Sequence, residues 1–104
     1  MTSFDADFNL AIEHRLDFLH AERRRAWREH SALSTEWHRV LGERYGHLAG
    51  EHPGTELPAA ERDAVQRRLD ELRHRVDAAW QGVLEAQAAV TDYRRGLTEI
   101  GYRG

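Results

Sequence analysis

Seven histidines in a chain this short raise the question of a metal first. Glu71 and His74 stand three apart, the spacing by which a carboxylate and an imidazole one helical turn apart share an ion in di-metal helical bundles. Such a centre also needs acids pointing inward from the facing helix. The periodicity described below turns Glu71 and His74 outward, and Glu13, Asp17 and His20, which share another helix face, also lie away from the apolar seam. Solvated helix faces are therefore expected here, with no metal and no cofactor. A metal-binding bundle is the third reading of function.

A second constellation is Arg23, Arg24 and Arg28 around Trp27. Guanidinium and indole together can stack on a base and hold a phosphate. The plainer reading is a solvated face with Arg24 lying over Trp27. Every basic residue other than His is Arg, with no Lys at all, and Ala is abundant. That skew follows a GC-rich codon bias, so the arginines alone do not signal phosphate binding. A regulator that binds a nucleotide or nucleic acid through Arg23–Arg28 stands as the second reading.

Nucleophilic chemistry finds no support. There is no cysteine, and the serines, Ser3, Ser31 and Ser34, lie on no glycine-flanked elbow. No glycine-rich phosphate loop occurs. Trp80-Gln81-Gly82 forms a Trp-x-Gly triplet, but it falls deep inside a helical pattern rather than at a turn. No catalytic residue is assigned, and the chain is not expected to be an enzyme.

These side chains are positioned by two helices. Val65, Leu69, Leu72, Val76, Ala79, Val83, Ala86, Val90, Tyr93, Leu97 and Ile100 alternate spacings of four and three, a heptad seam of the left-handed coiled-coil kind. Gly96 could end this helix early, but the seam runs on past it. The first helix is less regular. Phe4, Phe8, Ile12, Leu16 and Leu19 make one stripe, and Leu33, Trp37, Val40, Leu41 and Leu48 another. A strict heptad between them puts Arg23, His30 and Arg44 on the seam, which makes the middle the weakest-packed part. Breakers cluster at 49–58, where Gly50 suits a helix's C′ position, Thr55 an N-cap and Pro58 a first turn. The expected fold is all-α: one domain, residues 1–104, with helices over about 4–48 and 58–100 joined by a loop at 49–57. The helices form an antiparallel coiled-coil hairpin, expected to complete a four-helix bundle by dimerisation.

Two registers compete. Opposing Leu33 to Leu69 and Leu19 to Val83 pairs Glu29 with Arg75, Glu36 with Arg68 and Glu13 with Arg94, and sets Phe8 against Gly96 and Trp27 beside Trp80. A slip of one heptad pairs Glu36 with Arg75 and Glu43 with Arg68 instead. The first register is the expected one, although exposed ion pairs contribute only ~0.2–1 kcal/mol each.

The composition fits an interaction module. A net charge of −3 argues against a nucleic-acid partner. The absence of cysteine, of a signal-like N-terminus and of any apolar run near ~20 residues points to a cytoplasmic protein outside membranes. Trp80, Leu84 and Ala88 form a second apolar stripe beside the seam, and Trp27 and Phe18 also lie off it. A Trp and a Leu one turn apart exceed what the hairpin needs. The first reading is a non-catalytic homodimeric module with a further protein partner, its interface formed by Trp27, Trp80, Leu84 and Ala88.

Overall fold

In a computed structural model, residues 6–45 and 58–102 are described. They form two helices, α1 (Ala6–Tyr45) and α2 (Ala59–Glu99), folded into an antiparallel hairpin. Phe4, Leu48, Gly50 and Thr55, on which part of the boundary reading rested, lie outside the described residues. Pro58 is the N-cap of α2 rather than a residue of its first turn. Its carbonyl accepts from the Arg62 amide at 2.9 Å, and no side chain caps the helix.

Local electrostatics favour each helix separately. Asp7 and Glu61 lie in the first turns and Arg44 in the last turn of α1, where the helix dipole favours those signs. Arg25 pairs with Glu22 at 2.6 Å, Arg68 with Glu71 at 3.2 Å and Arg95 with Asp92 at 3.5 Å. Arg39 bridges Glu36 and Glu43. Among the described residues, these ion pairs all run along one helix, so they favour helix formation without setting the register between helices.

The apolar seam sets the register, and the outcome is the slipped one. Val40 packs on Leu69 and Leu72, with Leu33, Trp37, Leu41 and Val65 around them. Phe8 meets the ring of Tyr102 at 6.5 Å, and a Cβ built on Gly96 would touch nothing. Among the described residues, neither the expected pairs of Glu29 with Arg75, Glu36 with Arg68 and Glu13 with Arg94 nor those of the slipped register come within ion-pair distance, although Arg68 still attracts Glu36 across the hairpin. The reason is one of magnitude. The slip brings Ile12 level with Leu97 and Leu16 with Tyr93, whereas the other register leaves the end of the α2 seam overhanging. Burying one side chain of that size is worth ~1.5–3 kcal/mol, more than an exposed ion pair. The slip also sets Arg23 and His30 against the small Ala86 and Ala79 instead of pressing His30 onto Leu72. Trp27 does meet Trp80, but that contact belongs to the slipped register.

The α2 seam is buried or half-buried from Val65 to Leu97, and only Ile100 is exposed. In α1 the buried side chains are Ile12, Leu19 and Val40, none of them in the long interval from Leu19 to Val40. The polar seam positions therefore leave α1 without a fully buried side chain in the middle, but Val83 of α2, level with Ala26, is fully buried there. The molecule measures 77 × 20 × 18 Å and has a radius of gyration of 22.3 Å, against about 13 Å for a compact domain of this length. Its core is a single line of contacts with water on both sides.

The end of α2 is closed by backbone geometry. Gly101 adopts φ 81°, the Tyr102 amide donates to the Leu97 carbonyl at 2.9 Å, and the Gly101 amide donates to the Thr98 carbonyl at 3.0 Å. This is a Schellman motif, and it aims Tyr102 back at Phe8. Two glycine substitutions five residues apart should therefore have opposite signs. Gly101→Ala forces a Cβ into the left-handed region and should cost about 1 kcal/mol. Gly96→Ala adds a methyl group to open helix and should gain ~0.5–1 kcal/mol. Urea unfolding of both variants checks this, and equal signs would contradict the motif.

Candidate interaction face

Half-way along the hairpin, the two helices carry an aromatic cluster on one side. The Trp27 and Trp80 rings meet edge to face at 5.7 Å. His30 approaches both, at 6.1 Å from Trp27 and 5.4 Å from Trp80. Edge-to-face pairs of this kind are worth ~0.5–1.5 kcal/mol beyond their buried area. The cluster fills the place where the seam carries Arg23 and His30 instead of aliphatic side chains. It does not cover itself: Trp27 remains 39%, Trp80 38% and Leu84 41% exposed. Ala88, one turn beyond Leu84, is exposed as well.

The same side continues towards the loop as an open groove lined by Ser34, Trp37, His38, Arg73, Val76 and Asp77. His38 donates through Nδ1 to the Ser34 carbonyl at 2.7 Å, which fixes its ring edge-on to Trp37. In the other direction, Arg94 of α2 donates to His20 Nε2 of α1 at 3.1 Å. The face thus combines indoles and imidazoles with a few charged residues along its length, and its chemical capacity is contact with another apolar surface.

The four partner residues read from the sequence fall on this one face. The arginines differ in exposure. Arg24 and Arg28 are exposed, Arg23 is half-buried on the seam, and the nearby Arg25 is held by Glu22. No guanidinium lies over Trp27 among the described residues, so the expected cover by Arg24 is replaced by His30 and Trp80. Arginine does stack elsewhere, Arg15 over Phe18 at 5.2 Å and Arg44 over Tyr45 at 4.7 Å. Glu71 and His74 are both exposed, and among the described residues no three potential ligands gather as a metal site would require.

Among the described residues, the clear electrostatic perturbations are at Glu36 and Arg39, on the outer surface of α1. The hydrogen bond from Arg39 holds the Glu36 carboxyl below the usual carboxylate range, with further attraction from Arg39 and, across the hairpin, Arg68. Arg39 is correspondingly raised, first by its hydrogen bond to Glu36. Both groups are solvated, and neither lies in a cleft where a shifted group would suggest catalysis.

One feature escaped the sequence reading. On the opposite side of the hairpin runs a shallow groove floored by Ala26, Ala79, Gly82, Ala86 and Ala89 and edged by Glu22 and Glu29. Ala79 and Ala86 are seam positions and Gly82 lies beside the seam, so the heptad pattern alone does not single out the groove that these residues form with Ala89.

The chain matches no family model, no curated protein and no solved structure. No described helix is long and apolar enough to cross a membrane. The class that fold and face define is an all-α helical hairpin with an uncovered aromatic side.

Proposed function

We propose that this chain is a non-catalytic interaction module that works by self-association through the face of Trp27, Trp80, Leu84 and Ala88, presenting the assembled hairpins to a protein partner in the cytoplasm. The observation that carries the reading is the exposure of the Trp27–Trp80 pair. Two indoles satisfy each other's edges and still leave more than a third of each in water, with Leu84 one turn on. Single exposed apolar residues are ordinary, whereas a contiguous aromatic and aliphatic cluster on a narrow molecule marks a contact surface. The narrow two-helix core supports the reading, because a second hairpin laid on this side would cover apolar surface that the first leaves in water.

Sedimentation equilibrium tests it. The wild type should be dimeric at micromolar concentration, and Trp80→Ala with Leu84→Ser should be monomeric, with helical circular dichroism retained. A monomeric wild type would overturn the self-association reading.

A further inference from the structure

We infer that the occupant of the aromatic face is a second copy of this chain, related by a two-fold axis parallel to the hairpin's length, so that each α1 packs against the partner's α2; this rests on the self-association reading and adds its geometry. Charge complementarity at matching heights selects this occupant and this axis.

Three exposed pairs on this face lie level with each other within the hairpin. Arg28 and Asp77 flank the Trp27–Trp80 contact on its loop side. His38 and Asp70 flank the contact of Val40 with Leu69. Glu13 and Arg95 lie between two contacts that fix the other end, Phe8 with Tyr102 and His20 with Arg94. Helical periodicity places all six on the aromatic side. Glu13 stands two heptads before Trp27 and His38 three turns after it. Asp77 precedes Trp80 by one turn, Asp70 precedes Asp77 by a heptad, and Arg95 follows Leu84 by three turns.

A two-fold axis along the hairpin keeps every residue at its own height and exchanges the helices across the interface. Glu13 then meets the partner's Arg95, Arg28 the partner's Asp77 and His38 the partner's Asp70. Trp27 enters between the partner's Trp80 and the partner's Leu84, and the reciprocal contact forms by symmetry. Among the described residues, Arg95 is the one of the six in an ion pair within its own chain, to Asp92 at 3.5 Å, while Asp70 accepts from Gln66 and His38 donates to the Ser34 carbonyl, all at the exposed surface.

The alternative axis, across the helices, sets α1 against α1. It brings Arg24 and Arg28 onto the partner's Arg28 and the partner's Arg24 and offers no acid between them. With that axis level with the Trp27–Trp80 contact, the like charges facing each other disfavour it. Area is sufficient in the favoured arrangement. Helices of this length run ~60 Å, and with a width of 20 Å the face exceeds the roughly 800 Å² per partner of a stable interface.

The chain has no cysteine, so one spin label at Glu99→Cys reads the symmetry directly. Pulsed dipolar spectroscopy on the dimer should give a separation on the order of 20–30 Å, because both labels lie at the same end. A dimer with labels about 50 Å apart would overturn this orientation and leave self-association standing. A monomer without dipolar coupling would overturn both. As a second readout, Arg28→Asp should weaken the dimer about tenfold, and adding Asp77→Arg should restore it. Failure of that restoration in a dimer would remove the assigned pair.

Discussion

Replacing Leu72 with alanine should lower the unfolding free energy by ~2–5 kcal/mol, while the neighbouring Arg73→Ala should change it by less than about 0.5 kcal/mol. Leu72 is fully buried, and it packs in the cluster of Val40 and Leu69 with Leu33 and Trp37 against it. Truncation there removes apolar contacts and leaves a cavity that two straight helices cannot readily collapse. Arg73 is exposed on the wall of the open groove, and water replaces whatever it touches. A two-helix hairpin has no second layer over which to spread the loss, so the larger value is expected. Denaturant titration at a concentration low enough that the chain does not associate is the measurement, since it reads the hairpin's own contacts alone. Equal midpoint shifts in the two variants would mean that the seam does not carry the fold.

Leu72 also shows what was legible in the sequence. Its place on a seam of unbroken four–three spacing required no knowledge of the partner helix, because period alone decides which side of a long helix is apolar. The same holds for the polar seam positions. Arg23, His30 and Arg44 are half-buried where a strict heptad puts them. Register was not legible in the same way. Both candidate alignments keep every seam residue on the seam, so period cannot choose between them. The pairs used to choose, such as Glu29 with Arg75, are solvated contacts worth little. What decides is the overhang: Ile12 finds Leu97 only after the slip. The aromatic side was visible as surplus, since Trp80 and Leu84 fall outside the seam's needs. The wedging of His30 against both indoles was not, because it depends on the height at which the helices meet.

Arg23→Leu combined with Arg44→Leu should stabilise the hairpin by about 2–3 kcal/mol and raise the melting temperature by about 10 °C or more. Both arginines occupy seam positions, and both are half-buried. The Arg44 Nε is buried without an acceptor, an arrangement that carries a desolvation cost. The slipped register sets Arg23 opposite Ala86 and Arg44 opposite Val65, leaving room for a branched aliphatic side chain at each. Leucine and arginine have similar helix propensity, so the gain would come from the seam rather than from the helix. Arg25→Leu, at an exposed position on the opposite side of the hairpin where only the solvated pair with Glu22 is lost, is the control and should shift the midpoint little. Polar residues at seam positions commonly hold a coiled coil to one alignment and one stoichiometry at some cost in stability. The doubly substituted chain should therefore be more stable and less particular, forming several species in sedimentation where the wild type forms one. A loss of stability would show instead that the two arginines hold the hairpin together through contacts of their own.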